Sequence, residues 1–338
     1  MSPKKASKIS KKRIIGSVHS VHVCYSNLSY RISLGVGLKV LITGASGFIG
    51  KHLTNYLLQK EKYELVLPLR PNTNLKNSSK RISIIPFDGL NAPETQSLWR
   101  EKLKDIDAVI HLAAQINSSE SQLRETNIEG TRLLAEEAAK AGVKRFIFMS
   151  TIKVNGETTT IDRPFSEDSP PTPTSDYAKS KYEAENQLKA VLENTNTDWV
   201  IIRPPLVWSE NAEGNISSLI QLLKKGLPLP FGSIRNQRSI IKIESLCKIL
   251  ESCMENPRAS NNIFLVSEAH AFTTAELIKE AAKISQSKAK IFPFPTILLK
   301  WFLYLIGKRD LSQRLFESLE VDSQKSRRLL NWERNQLE

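Results

Sequence analysis

A glycine-rich turn near residue 44 constrains the fold more than any other feature of the sequence. Gly44, Gly47 and Gly50 are spaced three residues apart and follow the run Lys39–Thr43, which has the apolar composition of a buried strand. The pair Phe48–Ile49 lies within the turn and begins a helical pattern. A strand, a glycine turn and a helix in this order are typical of dinucleotide-binding folds.

Each glycine of this turn has a physical role that a larger residue would not serve. The first permits a tight turn, the second lets a pyrophosphate approach the backbone, and the third lets the helix pack closely on the strand. The phosphates then meet backbone N–H groups at the positive end of the helix dipole. The turn therefore predicts a dinucleotide bound through its pyrophosphate.

Short apolar runs alternate with longer helical patterns from Lys39 onward, as in a parallel sheet with helices on both faces. Strand-like runs occur at Lys39–Thr43, Glu64–Leu69, Ile82–Phe87, Ala108–Leu112, Arg145–Ser150 and Trp199–Arg203. Helical patterns occur at Phe48–Gln59, Pro93–Lys102, Ser121–Ala141, Ser175–Asn194, Ile243–Glu255 and Thr273–Ser285.

These patterns predict an α/β fold, a Rossmann-type doubly wound parallel sheet with a smaller C-terminal substrate-binding domain of interleaved segments. Residues 39–203 form the NAD(P)-binding domain in this prediction, and residues 204–333 form most of the substrate-binding portion. The ligand is expected in the cleft between the two.

The net charge of +13 is unevenly distributed along the chain. Residues 1–38 hold seven Lys/Arg residues and no acidic residue, so the rest of the chain has 41 bases against 35 acids. That balance gives no reason to expect a nucleic-acid partner for the folded part. Residues 1–38 are interpreted as a disordered basic extension or as residues upstream of the true start. A targeting peptide and a nucleic-acid-binding arm are the alternatives.

The cysteine spacing and the length of the apolar runs indicate the expected cellular compartment. The three cysteines show no paired C-x-x-C spacing, so neither a disulfide framework nor a metal site is expected, and a reducing cytoplasm fits best. No apolar run reaches the ~18 to 20 residues that span a bilayer. The most apolar late stretch, Thr296–Ile306, predicts a short helix, and we favour packing on the core over a position at a membrane surface.

Residues at the ends of the later strands bear on which dinucleotide binds. Arg70 lies where NAD-selective Rossmann proteins carry an acid on the ribose 2′-OH. A guanidinium pairs well with a 2′-phosphate, so Arg70 favours NADP over NAD, with an exposed loop cation as the alternative. Asp88, next to Gly89, is placed to accept a hydrogen bond from the adenine amino group. The crevice beside the diphosphate is expected to be lined by Leu112, Ala113 and Ala114.

A Tyr-x-x-x-Lys spacing supplies candidate catalytic residues. Tyr177 and Lys181 lie four residues apart in a helical pattern, which places both side chains on one face. A phenol with a pKa of ~10 is a poor base at neutral pH, and we expect the lysine ammonium and a positive nicotinamide to lower that pKa. Thr151 follows the fifth strand-like run, at the carboxyl edge where ligands bind, and its hydroxyl can bond the substrate oxygen.

In this order the motifs resemble those of the extended short-chain dehydrogenases/reductases of the NAD-dependent epimerase/dehydratase family, over about residues 38–333. The resemblance is carried by Gly44, Gly47, Gly50, His111–Ala114, Thr151, Tyr177, Lys181 and Arg203–Pro205. It implies a nicotinamide cofactor, with Pro204 among its contacts and Lys181 on its ribose, and Ser/Thr-Tyr-Lys chemistry. It also implies a homodimer formed through the helices at 121–141 and 175–194.

Most extended members act on nucleoside-diphosphate sugars, and the resemblance extends to residues that would hold such a substrate. Asn215 resembles the family's phosphate-contacting amide, and Arg238 resembles its diphosphate arginine. Arg314 is a further candidate for the same diphosphate. Together with Thr151 these residues favour a UDP-sugar substrate, although each is also explained as a surface polar residue.

The residues after Thr151 narrow the reaction that the resemblance implies. Sugar-nucleotide 4,6-dehydratases carry Asp-Glu directly after the catalytic threonine, whereas this chain has Ile152 and Lys153, so dehydration is disfavoured. The segments around Asn155, Arg203 and Glu320 resemble the subgroup that reduces a UDP-4-keto-6-deoxy-N-acetylhexosamine for surface polysaccharides.

That resemblance and the NADP preference favour 4-keto reduction. The first alternative is a UDP-glucose or UDP-N-acetylglucosamine 4-epimerase. A second alternative is a reductase or dehydrogenase of a hydrophobic alcohol, steroid- or flavonoid-like, with Trp301–Tyr304 lining an apolar pocket or touching a membrane.

Overall fold

The computed structural model describes residues 37–71, 73, 79–90, 92, 94–160, 163–209, 216–226, 228–287 and 290–332. Within them one parallel sheet has the strand order β3-β2-β1-β4-β5-β6-β9. Its strands are β1 Leu38–Thr43, β2 Tyr63–Leu69, β3 Ile82–Pro86, β4 Ala108–His111, β5 Arg145–Met149, β6 Asp198–Arg203 and β9 Asn262–Leu265. A separate parallel pair consists of β7 Leu206–Trp208 and β8 Ile240–Lys242.

Helices cover both faces of the sheet. They are α1 Phe48–Leu58, α2 Thr95–Lys102, α3 Glu120–Leu123, α4 Gly130–Ala141, α5 Asp176–Leu192, α6 Ile216–Lys224, α7 Ile243–Glu255, α8 Thr274–Ile284, α9 Thr296–Leu305, α10 Arg309–Phe316 and α11 Gln324–Leu330. A π-helical stretch, Arg124–Glu129, joins α3 to α4.

The sheet is doubly wound because its strands bury side chains on both faces. In β1, Val40 and Ile42 pack in the core that α1 and α7 cover, whereas Leu41 packs in the opposite core with α4 and α5. The period of two along a strand separates the two sets. The α/β, Rossmann-type fold predicted from the sequence is confirmed, and it aligns the carboxyl ends of the parallel strands along one edge.

Several elements differ from the sequence prediction. The pattern at Ser121–Ala141 is interrupted by the π-helical stretch instead of forming one α-helix. The seventh strand β9 and the pair β7–β8 were not predicted, because three or four residues give too short a pattern to detect. Of the predicted basic extension, residues 1–36 lie outside the described part of the chain.

The helix predicted at Thr296–Ile306 forms as α9, and the favoured packing on the core holds only for its inner side, where Leu303 packs with Ile234 and Phe316. Leu303 is buried, whereas Ile297 is 79% exposed and Trp301 is 64% exposed. An apolar composition indicates that the side chains tend to leave water. It does not indicate which surface covers them, so the sequence alone could not predict the exposed face.

Candidate active site

The glycine turn leaves no room for side chains. Gly44 has a φ of 73°, and a Cβ added there would lie 2.7 Å from the backbone nitrogen of Ala113. A Cβ on Gly50 would lie 2.6 Å from Cα of Ala45, where the start of α1 packs on the turn. The first turn of α1 begins at Gly47 with neither a side-chain cap nor an acidic residue. No side chain of this turn therefore occupies the positive end of the helix dipole, and its backbone N–H groups can bind a pyrophosphate.

The other predicted cofactor residues lie along the same edge of the sheet. Arg70 directly follows β2, Asp88 lies two residues after the end of β3, and both are exposed. The buried Gly89 accepts a 2.6 Å hydrogen bond from Thr95. Beyond β4 lie Leu112, Ala113 and Ala114, all half-buried. Past β6, the carbonyl of Pro204 accepts a 3.0 Å hydrogen bond from Ile152, next to Thr151.

His111 ends β4 behind this edge and is fully enclosed. Its Nδ1 lies 2.6 Å from the hydroxyl of Thr43, and its Nε2 lies 3.0 Å from the hydroxyl of Thr131. Burial, with a smaller effect from the Lys181 charge, lowers the pKa of His111 to about 3. A neutral imidazole thus joins β1, β4 and α4.

The three predicted catalytic residues come from two adjacent elements. Thr151 follows β5 and begins a short 3-10 turn, with its hydroxyl accepting a 3.4 Å bond from the backbone of Lys153. Tyr177 and Lys181 lie on α5, one turn apart. The Lys181 Nζ lies 3.8 Å from the ring centroid of Phe148, a β5 residue, so α5 packs its lysine against the strand that leads to Thr151.

Burial acts on both titratable groups of this set. It raises the pKa of Tyr177 to about 12 and lowers the pKa of Lys181 to about 7, the latter partly offset by Glu185. The shift at Tyr177 is opposite to the lowering expected from the sequence. The physical reason is that both side chains lose solvent, so the phenol stays protonated and the lysine carries less charge with which to stabilise a phenolate.

A buried ion pair that the sequence did not reveal supports Lys181. One turn further along α5, Glu185 accepts hydrogen bonds from Arg203 at 3.0 and 2.5 Å and from the hydroxyl of Ser150. Arg203 also donates to the side chain of Asn155 at 3.0 Å. The network joins α5, β6 and both ends of the loop that carries Thr151, and so fixes α5 relative to that loop.

The π-helical stretch places a second unpredicted residue beside α5. Asn127 is buried, and its side-chain amide donates to the hydroxyl of Ser180 at 2.9 Å and to the carbonyl of Gln115 at 2.9 Å. Its side-chain oxygen accepts from the backbone nitrogen of Gln115 at 2.8 Å. Asn127 thus holds the segment after Ala114 against the helix that carries Tyr177.

Glu157 connects the catalytic loop to the substrate side. It pairs with Lys153 at 2.9 Å and accepts a 3.1 Å bond from Ser175, the residue that caps α5. Burial lowers the pKa of Arg238, and the Glu157 carboxylate offsets part of that lowering. The loop after Thr151, the start of α5 and a predicted substrate residue therefore share one acidic partner.

Two of the three predicted substrate-phosphate residues converge. Arg238 is half-buried and donates to the carbonyl of Glu317 at 3.0 Å, and the positive charge of Arg314 is the second-largest influence lowering its pKa, after burial. Two guanidinium groups that repel each other form a place where an anion is stabilised. Asn215 lies outside the described residues.

Comparison with known proteins agrees with these motifs. The model of the family "NAD dependent epimerase/dehydratase family" matches residues 40–267. The chain belongs to this family. It is an enzyme of the extended short-chain dehydrogenase/reductase type with a nicotinamide-binding Rossmann domain.

Individual relatives cover most of the chain. A UDP-glucose 4-epimerase of Vibrio cholerae is 36% identical, covering 87% of this chain and 90% of the relative. The N-acetyl-alpha-D-glucosaminyl-diphospho-ditrans,octacis-undecaprenol 4-epimerase of Escherichia coli O157:H7 is 26% identical, covering 79% and 77%. The crystal structure of UDP-glucuronic acid 4-epimerase from Bacillus cereus in complex with NAD superposes with a TM-score of 0.69 at 24% identity, covering 87% and 93%. This structural likeness agrees with the fold.

Proposed function

We propose that this protein is a UDP-sugar 4-epimerase that uses Tyr177 as the acid/base and Thr151 as the substrate-orienting hydroxyl. The observation that carries the proposal is the joint position of Thr151, Tyr177 and Lys181 at the carboxyl edge of the sheet. The 36% identity to a UDP-glucose 4-epimerase favours epimerisation over the reduction that the sequence favoured.

The glycine turn would hold a nicotinamide cofactor, which would supply hydride acceptance at C4 of the sugar and hydride delivery to the opposite face. Thr151 accepts or donates a hydrogen bond at the O4 oxygen, and Tyr177 moves the O4 proton. With its pKa raised to about 12, the Tyr177 phenol is poised to donate that proton to a ketone oxygen. For the opposite direction, a bound positive charge next to Lys181 must lower the phenol pKa.

The two arginines favour a diphosphate substrate. Arg238 and Arg314 repel each other, and a negatively charged diphosphate between them removes that repulsion. The relatives act, by their names, on a sugar carried by UDP and on one carried by undecaprenol diphosphate. The diphosphate is common to both, and the two arginines account for that shared part.

The positions after Thr151 argue against dehydration. Ile152 is buried, and the Lys153 Nζ is paired with Glu157 at 2.9 Å. Neither residue supplies a free carboxyl group, and eliminating water needs a further acid and base.

A second candidate, reduction of a UDP-4-keto-6-deoxy-N-acetylhexosamine, is favoured by Arg70. The exposed guanidinium at the end of β2 suits the 2′-phosphate of NADPH, which a reductase consumes, whereas an epimerase retains NAD. We include with this candidate a role in surface-polysaccharide biosynthesis. A cytoplasmic site of action, a homodimer, and a division into residues 39–203 and 204–333 are parts of the proposal under either reaction.

Purified protein distinguishes the two reactions. Incubation with UDP-glucose or UDP-N-acetylglucosamine and NAD should yield the C4 epimer, detected by chromatography of the sugar nucleotides. If the protein instead oxidises NADPH with the 4-keto-6-deoxy sugar nucleotide and epimerises neither UDP-sugar, the epimerase proposal fails and the reductase candidate replaces it.

Arg70 has its own test. Under the NADP hypothesis Arg70→Asp should lower the NADP to NAD binding ratio by about 10-fold or more, since it replaces a phosphate-pairing cation by a ribose-pairing acid. Titration of both cofactors measures the ratio. Arg81→Asp is unsuitable as a control because Arg81 donates hydrogen bonds to the carbonyls of Lys60 and Leu58. Lys80→Asp, which changes an exposed cation before the amino end of β3, is the control. An unchanged ratio in Arg70→Asp makes Arg70 a loop cation only.

A further inference from the structure

Helix α9 presents a continuous apolar face to solvent. Ile297, Trp301 and Leu305 are spaced four residues apart and are 79%, 64% and 61% exposed. Leu298 and Phe302 lie beside them on the same face and are 55% and 56% exposed. These five side chains form the α9 face. Contiguous apolar area of this kind marks an interaction site, whereas single exposed apolar residues do not.

The opposite side of α9 is firmly attached to the protein. Leu303 is buried and packs in one cluster with Ile234 and Phe316. Lys300 pairs with Glu317 at 2.8 Å, and its Nζ lies 5.4 Å from the ring centroid of Phe316. The helix is therefore held in a fixed orientation by its inner side, and the α9 face points outward as part of the fold.

The charged residues near the α9 face indicate which kind of partner it binds. Four described cations that flank or lie on α9 in the sequence are exposed, and one of them, Lys300, is paired with Glu317; the four are Lys290, Lys300, Lys308 and Arg314. A short helix with Trp, Phe and Leu on one side and lysine or arginine around it is the pattern of helices that lie in the interface of an anionic membrane. In the described part of the chain, none of the helices has the length and hydropathy to cross a bilayer.

We propose that the α9 face binds the surface of an anionic lipid bilayer. The apolar side chains enter the boundary between headgroups and acyl chains, and the surrounding cations lie at the lipid phosphates. A second copy of the chain fits less well, because a two-fold interface would bring this basic segment against its own copy.

This surface lies next to the candidate diphosphate site. Lys300, on α9, pairs with Glu317, and the Glu317 carbonyl accepts the hydrogen bond from Arg238. Between α9 and α10 runs a groove of about 610 Å³ lined by Trp301, Tyr304 and Gln313. Binding through the α9 face therefore places the substrate side of the protein at the membrane surface.

Flotation of the full-length protein with vesicles tests the proposal without any measurement of activity, so its failure is independent of the proposed reaction. Vesicles of phosphatidylcholine and phosphatidylglycerol at about 7:3 should carry the wild-type protein upward in a density gradient, and phosphatidylcholine vesicles should carry much less. The double variant Trp301→Ser/Leu305→Ser, which keeps every charge, should reduce the floated fraction by about tenfold.

The control is Ile84→Ser, which removes a similarly exposed apolar side chain from strand β3. It should float like the wild type. The basic residues 1–38 are present in every variant, so their attraction to anionic lipid is common to all samples. Circular dichroism of each variant checks folding.

Equal flotation of the wild type and the folded double variant overturns the proposal, as does an absence of flotation by the wild type. Size-exclusion chromatography without lipid tests the competing explanation. A wild-type dimer that the double variant converts to a monomer would show that the α9 face binds a second copy instead of a membrane.

Discussion

The catalytic edge, which carries Thr151 and Tyr177, differs from the α9–α10 corner in how its charged residues are paired. The α9–α10 corner consists of the helices Thr296–Leu305 and Arg309–Phe316 with the adjoining Arg238. At the catalytic edge the buried charges of Glu185 and Arg203 pair with each other. At the corner, Arg238 and Arg314 repel each other and the α9 face lies in water. The first region is organised before any ligand arrives, whereas the second is completed by the molecule that binds there. Substitutions in the first should change kcat and stability, and substitutions in the second should change binding.

The largest expected effect is at the hydroxyl that moves the proton. Tyr177→Phe should lower kcat by about 10³-fold, because proton transfer by a positioned side chain contributes on the order of 10² to 10⁴ in rate. Binding of NAD, measured by calorimetry, should be nearly unchanged. Tyr182→Phe, on the same helix, is the control and should retain activity. Retained activity in Tyr177→Phe would disprove the acid/base role.

The buried pair should have the next largest effect, on stability. Glu185→Gln leaves the Arg203 charge buried without its carboxylate, which costs about 3–5 kcal/mol when a buried ion pair loses one partner. Urea unfolding measures the free energy of unfolding. Glu193→Gln changes an exposed carboxylate near the end of the same helix and should stay within about 0.5 kcal/mol of the wild type. If the two variants lose equal stability, Glu185 has no special role.

A substitution at the α9–α10 corner should change the affinity for the substrate. Arg314→Ala should raise KM for the UDP-sugar by about 10-fold while changing kcat much less, since a charge-assisted contact of about 1.5–3 kcal/mol is lost. Arg328→Ala, which removes an exposed arginine from α11, should leave KM unchanged. A fall in kcat without a change in KM would place Arg314 outside the diphosphate site.

The smallest effect is a gain in stability at Lys181. With its pKa lowered from 10.5 to about 7, the folded protein binds fewer protons there than the unfolded chain between those two values. Stability from this group therefore rises with pH across that window, and the burial penalty is fully present below about pH 7. Lys181→Met should raise the free energy of unfolding by about 1–2 kcal/mol at pH 6.

The gain in Lys181→Met should shrink at pH 9, where the folded lysine is largely neutral. Thermal unfolding of both proteins at the two pH values measures the difference. A gain that is constant with pH would mean that the wild-type lysine is charged in the folded protein at both values. Lys179→Met, at an exposed position on the same helix, should show little change at either pH.

Local patterns predicted the features that depend on neighbours in sequence. The glycine turn, six of the strands and the Tyr177–Lys181 spacing each follow from a short period or a required small residue. The pair of Glu185 with Arg203 could not be predicted, because 18 residues and a strand separate the partners and many carboxylates occupy similar positions. The exposure of the outer face of α9 could not be predicted for a related reason, since a hydropathy pattern carries no information about which surfaces meet.

The wide π-helical turn at Arg124–Glu129 limits how this chain can vary in length. Asn127 reaches both Ser180 and Gln115 from that turn. Each residue added to or removed from a helix rotates the residues after it by about 100°, so a single insertion between Ser119 and Asn127 would turn the amide away from α5. Substitutions on the exposed side of α3 leave that register intact. The segment is thus permissive toward changes of residue type and intolerant of changes in residue number.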